Sequence, residues 1–172
     1  LERGVKYGKW HSLIDKVYRP VTLIKAFDSV KRNKGAAGVD RETIDNFERH
    51  RESKLLKLSE LLETGRYIPQ GVKRVWINKP GKKEQRPLGI PTVRDRVAQS
   101  SLRMVIEPIF ENEFAEHSYG FRPKRGCKDA LREVWKQLQD GNRYVLDADI
   151  KGYFDAIDHE ILMQLIEEKI AD

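Results

Sequence analysis

Residues 144–155 read Tyr144-Val145-Leu146-Asp147-Ala148-Asp149-Ile150-Lys151-Gly152-Tyr153-Phe154-Asp155, and the fold turns on how this stretch is read. Tyr144 to Ile150 has the apolar, β-branched character of a buried strand, and Gly152 marks the turn that ends it. Residues two apart in a strand face the same side at about 6.5 to 7 Å, so Asp147 and Asp149 share a face. Carboxylates among Val145, Leu146, Ala148 and Ile150 are costly unless a cation or hydrogen bonds compensate. A hard divalent ion such as Mg²⁺ is one compensation, and it keeps coordination positions for substrate phosphates. Aspartates at a strand end also act as turn formers and helix caps. The residues by themselves leave both readings open.

Outward from this stretch the chain alternates helical patterns with turn signals. Downstream, Asp158 is placed to begin a last helix. Upstream, Ala130, Leu131, Val134, Trp135 and Leu138 form an apolar helical stripe that ends near Gly141. Ser118 to Pro123 is turn-rich, and before it Val97, Leu102, Val105, Ile106, Ile109 and Phe110 predict a long helix with Pro108 as a kink. Thr92 followed by Asp95 resembles a capping box for that helix, with Asp at the position Glu usually takes. Val72 to Ile77 and Arg86 to Ile90 predict a basic β-hairpin around Lys79-Pro80-Gly81. Residues 40–63 carry apolar residues at helical intervals, predicting one or two helices capped by Asp40 and stopped at Gly65. The first forty residues read as helical, with Pro20 in a first turn and a small-residue loop at 33–40. The class is α+β.

The composition of the 172 residues, 39% hydrophobic and 35% charged, predicts a folded, charge-rich protein. No apolar run approaches the ~20 residues of a membrane span. A single cysteine, Cys127, excludes an internal disulfide. The four histidines, His11, His50, His117 and His159, lack ligand spacing with one another or with Cys127, which argues against zinc. The charge is segregated. Residues 66–103 hold ten Lys/Arg against Glu84 and Asp95, whereas residues 140–172 hold nine acidic residues against Arg143, Lys151 and Lys169. A basic stripe followed by an acidic cluster suits a protein that grips a polyanion with one part and holds divalent metal with another.

The run around Asp147 and Asp149 strongly resembles the first carboxylate motif of reverse transcriptases, in the form typical of group II intron-encoded proteins, the intron maturases. Three further stretches match the family in the same order. Asn33 to Asp40 resembles the extra N-terminal block of non-retroviral members. Tyr67 to Pro91, with Arg86-Pro87-Leu88-Gly89-Ile90-Pro91, resembles the fingers hairpin block. Glu107-Pro108-Ile109-Phe110 with Ser118 to Pro123 resembles the next block. The likeness covers roughly residues 30–160.

The resemblance implies a helix-rich fingers region with a β-hairpin, leading into the first strand and helix of a right-hand polymerase palm. Its divisions would be a helical extension over residues 1–64, fingers over 65–140 and the start of the palm over 141–172. Asp149 would be the first ligand of catalytic Mg²⁺, assisted by the Ile150 carbonyl. Lys151, Gly152 and Tyr153 would approach the deoxynucleoside triphosphate through their backbone. Phe154 would gate against a ribose 2′-OH, or else pack in the core. Lys79 and Arg86 would hold the triphosphate, a compact charge beside a planar bidentate one. Asn33, Gly35, Gly38, Arg74, Arg122, Lys124 and Arg125 would lie along nucleic acid. The implied partners are an RNA template, intron RNA, a DNA or RNA primer and nucleotide, in a bacterial cytoplasm or an organelle. The chain starts at Leu1 and has no Tyr-x-Asp-Asp box, so it is expected to be an N-terminal piece of a longer enzyme, inactive by itself. Unpaired strand edges of an incomplete palm would favour a homodimer. The competing expectations are a non-catalytic intron RNA-binding module for splicing, and a metal nuclease using Asp147, Asp149 and Asp155.

Overall fold

The computed structural model describes residues 5–6, 8–78, 81 and 84–172, and Lys79 of the expected triphosphate pair lies outside the described residues. Packing divides the chain into two compact units, residues 1–107 with 171–172, and residues 108–170. The boundaries expected at 64/65 and 140/141 follow the motif blocks, whereas the first packing boundary falls between Glu107 and Pro108.

In the first unit, β1 (Val5–Lys6) pairs antiparallel with β2 (Lys9–Trp10), so this part of the stretch expected to be helical is a short hairpin. The β-forming Val5 and Trp10 sit opposite each other, and the run is too short to repay helix nucleation. Helices α1 (Ile14–Tyr18) and α2 (Pro20–Asn33) follow, with Pro20 in the first turn of α2 as expected. The loop after α2 leads to α3 (Ile44–Arg49) and α4 (Arg51–Glu63). The cap of α3 is Thr43, whose hydroxyl accepts from the Asn46 N–H at 3.2 Å. Asp40, expected to cap, instead accepts from the Glu42 N–H at 3.1 Å, a local turn that leaves it outside the helix.

Strands β3 (Lys73–Asn78) and β4 (Gln85–Ile90) form the expected antiparallel hairpin, with Ile77 opposite Arg86 and Trp76 opposite Pro87. Gly81 at the tip has φ +71°, a conformation that glycine adopts without a Cβ penalty. Helix α5 (Val93–Phe110) comes next. One core joins α2, α3, α4 and the first turns of α5. It contains Leu23, Phe27, Phe47, Leu58, Val93 and Val97, with Phe27 and Phe47 stacked at 5.1 Å. Each large side chain buried there contributes about 1.5–3 kcal/mol from removal of apolar surface from water.

The second unit holds α6 (Cys127–Gln139), a 3₁₀ turn at Phe154–Ala156 and α7 (His159–Glu167). Asp158 caps α7 as expected, accepting from the Glu160 and Ile161 N–H groups at 2.9 and 3.1 Å. Residues 144–150 do not form the expected strand. They make no ladder, and their apolar side chains are exposed, Tyr144 at 99% and Leu146 at 92%. A strand exists only where a neighbour accepts and donates its backbone bonds, and the two ladders among the described residues are β1–β2 and β3–β4. Without that strand, the edge-pairing ground for a homodimer falls away. No helix among the described residues is long and apolar enough to cross a membrane.

Candidate functional site

The residues expected to carry chemistry fall in both units. In the second, the chain turns sharply at Gly152, whose φ is +62°. The Asp155 and Ala156 N–H groups both donate to the Gly152 carbonyl at 3.1 Å, closing the turn. This folds Asp149, Ile150, Gly152, Tyr153, Phe154 and Asp155 around one open groove. The Tyr153 and Phe154 rings meet edge-on at 5.3 Å, and Phe154 is exposed rather than packed in a core. Asp147 is not part of the groove lining, because the strand alternation that would align it with Asp149 is not formed.

A divalent ion of the Mg²⁺ class takes near-octahedral oxygen coordination. The groove offers the carboxylates of Asp149 and Asp155, and no group of three or more His, Cys, Asp or Glu gathers into a metal cluster among the described residues. This donor set does not fit a pair of catalytic metals.

Also in this unit, Arg122 is engaged internally. Its Nε and Nη2 donate to the Glu111 carboxylate at 2.8–3.2 Å, Nη1 to the Ala115 and Ser118 carbonyls at 2.7 and 3.1 Å, and Nη2 also to the Glu111 carbonyl at 3.3 Å. Its side chain is 6% exposed and lies over the Phe114 ring. The guanidinium therefore clamps the turn 111–122, with its N–H groups occupied, instead of facing a phosphate. The ion pair holds the Glu111 carboxyl below its ordinary range. Arg125 bonds the Glu116 carbonyl and stacks near Tyr119, while Lys124 is exposed with φ +60°.

In the first unit the hairpin register sorts the basic residues by face. Arg86 shares a face with Lys73, Val75, Ile77 and Leu88, whereas Arg74 shares the opposite face with Trp76. Both arginines are exposed. The loop 33–40 is held by a residue that sequence reasoning counted only as charge. Arg96 donates from Nη1 to the Lys34 carbonyl at 3.4 Å and from Nη2 to the Ala36 carbonyl at 2.8 Å. Burial pulls the Arg96 guanidinium below its ordinary pKa. Gly38 is buried against the start of α5, where a Cβ would stand 2.7 Å from the Thr92 Cα. Asn33 ends α2 and is exposed, as is Gly35. Spacing alone gives no signal for Arg96, since its partners are backbone carbonyls some sixty residues away.

At the root of the hairpin, Asp95 is 1% exposed and its carboxylate accepts three hydrogen bonds and faces one guanidinium. The Tyr67 hydroxyl donates to Oδ1 at 2.7 Å, and the Thr92 hydroxyl and Gln70 N–H donate to Oδ2 at 2.7 and 3.1 Å. Arg94 Nε stands 3.7 Å from Oδ1. Burial pushes the Asp95 carboxyl up, but the bonds from Tyr67, Thr92 and Gln70 and the Arg94 charge outweigh it and leave the pKa lowered.

Residues 77–171 match the family model described as reverse transcriptase (RNA-dependent DNA polymerase). The chain is 41% identical over 156 residues to the group II intron-encoded protein LtrA of Lactococcus lactis subsp. cremoris, covering 90% of this chain and 25% of that protein. It is 37% identical over 166 residues to protein YkfC of Escherichia coli K12, covering 93% and 43%. It is 32% identical over 152 residues to the putative COX1/OXI3 intron 1 protein of Saccharomyces cerevisiae, covering 87% and 18%. The chain thus spans about a quarter of the length of the first of these relatives and less than half of the second.

Proposed function

The chain belongs to the reverse transcriptase family, among the intron-encoded members, and from that premise we propose that it supplies the fingers and the opening of the palm of an RNA-directed DNA polymerase that also assists intron splicing. The observation that carries the reading is the groove at 149–155, where a carboxylate, a tight glycine turn and an exposed aromatic ring share one surface. In this reading the functional partition is a helical extension over 1–64, fingers over 65–140 and the start of the palm over 141–172.

Asp149 contributes one carboxylate to a Mg²⁺ site, with the Ile150 carbonyl beside it, and other carboxylates must complete that site. The backbone of Lys151, Gly152 and Tyr153 approaches the triphosphate, and Phe154 disfavours a ribose 2′-OH. Arg86, together with Lys79, neutralises the triphosphate, for which a planar guanidinium offers paired donors. Asn33, Gly35, Arg74, Lys124 and Arg125 follow the phosphates of an RNA template, a primer or intron RNA, whereas Gly38, buried against the start of α5, is left out of that set. Arg122 is left out of that set because its donors are occupied within the chain. The protein would work in a bacterial cytoplasm or an organelle. A nuclease built on Asp147, Asp149 and Asp155 is disfavoured because Asp147 does not line the groove.

The test is primer extension on an RNA template with Mg²⁺, by the protein of the complete reading frame that carries these residues. Asp149→Ala is expected to abolish extension while leaving RNA binding intact. A complete protein that binds intron RNA tightly but extends no primer supports the splicing-module reading instead.

A further inference from the structure

The hairpin that carries Arg86 leaves the body of the first unit through residues 67–72 and returns to it at residues 91–95. Both ends are fastened to one side chain. Asp95 takes the Tyr67 hydroxyl and the Gln70 N–H from the outgoing segment, and the Thr92 hydroxyl from the returning one. The Asp95 N–H returns a bond to the Thr92 hydroxyl at 3.1 Å. Arg94 reinforces the outgoing segment by donating to the Ile68 carbonyl at 3.1 Å and lying 5.6 Å from the Tyr67 ring centre. Beyond the root, β3 and β4 are largely exposed and bond chiefly to each other.

A two-stranded ribbon of this kind is aimed by its root, because little else restrains it. A helix cap needs only the Thr92 hydroxyl on the Asp95 N–H, so cap formation does not account for the two donors from residues 67–70. We propose that Asp95 is a positioning residue that sets the direction of the β3–β4 hairpin and thereby the place of Arg86 relative to a bound triphosphate. This rests on the reading of Arg86 as a triphosphate ligand.

The experiment titrates deoxynucleoside triphosphate in primer extension by the protein of the complete reading frame. Four variants are compared with the wild type: Arg86→Ala, Asp95→Asn, Tyr67→Phe and the double variant Asp95→Asn with Arg86→Ala. Tyr67→Phe removes one hydroxyl and keeps the ring under Arg94, so it decides the question even where Asp95→Asn folds poorly. Misplacing a binding group by about 1 Å is sufficient to raise KM for the nucleotide about tenfold for Asp95→Asn, with about threefold expected for Tyr67→Phe. In the Arg86→Ala background Asp95→Asn should not raise KM further, because there is no guanidinium left to misplace. Effects that multiply with Arg86→Ala, or an unchanged KM in Asp95→Asn and Tyr67→Phe while Arg86→Ala raises it, overturn the positioning role alone. An unchanged KM in Arg86→Ala overturns the triphosphate reading of the hairpin, and the positioning role with it.

Discussion

Helices α2 and α6 are patterned alike and end differently. Helix α2 buries Leu23, Ala26, Phe27 and Val30 in a shared core, whereas α6 buries none of its residues and leaves Leu131 and Trp135 more than 60% exposed. In the whole second unit only Ile109 and Ile170 are buried. An amphipathic stripe states that a helix has a side to hide. Whether it is hidden depends on elements brought against it, and most helical stability comes from that packing. The first unit is thus a closed scaffold presenting an exposed basic hairpin. The second presents its carboxylate, turn and ring on open backbone.

The contrast is most sharply tested by truncating one aromatic in each unit. Phe27→Ala removes a fully buried ring and is expected to cost about 3–5 kcal/mol in urea unfolding of this chain. Trp135→Ala, on an exposed stripe, is expected to cost less than about 1 kcal/mol in the same chain. Equal costs would show that the Trp135 side chain is packed as firmly as Phe27.

Glycine substitutions probe it more gently. Gly38→Ala forces a Cβ to within 3 Å of the Thr92 and Pro91 backbone, and overpacking of this kind costs about 1–3 kcal/mol. Gly120→Ala meets nothing within 4 Å and is expected to leave the unfolding midpoint within about 0.5 kcal/mol of the wild type.

Acid titration addresses the buried carboxylate. Asp95 has a folded-state pKa below its ordinary 3.8, so its ionised form stabilises the fold above about pH 4, and that contribution is lost as pH falls through the lowered value. Unfolding measured from pH 6 downward should fall away more steeply for the wild type than for Asp95→Asn. Parallel curves would show that the Tyr67, Thr92 and Gln70 bonds do not favour the charged form.

The smallest expected effects are in salt dependence. Arg74→Ala and Arg86→Ala should each reduce the slope of log affinity for single-stranded RNA against log salt by about one contact. Arg122→Gln should leave that slope unchanged and instead loosen residues 111–122, visible as faster hydrogen exchange there. A reduced slope for Arg122→Gln would return that residue to the RNA surface.

Where sequence carried its own partner, the fold was legible. Pro20 at the start of α2, the Thr92 and Asp95 cap of α5, the hairpin around Gly81 and the Asp158 cap of α7 all depend on neighbours a few residues away. Distant partners were not legible. Arg96 read only as charge and Arg122 as a nucleic-acid contact, yet each bonds backbone carbonyls, those of Lys34 and Ala36 for one and of Glu111, Ala115 and Ser118 for the other. The strand expected at 144–150 had the right composition and lacked a ladder, which composition cannot supply. For the site, the turn at Gly152 was readable, and the groove pairing of Asp149 with Asp155 rather than Asp147 was not.

The most direct measurement runs RNA binding and primer extension side by side on the 172-residue chain. The expected result is binding to single-stranded RNA that weakens steeply with salt, carried by the closed basic unit, and no incorporation of nucleotide, because the open carboxylate groove holds too few ligands for catalytic metal. Nucleotide incorporation by this chain that Asp149→Ala abolishes would contradict it.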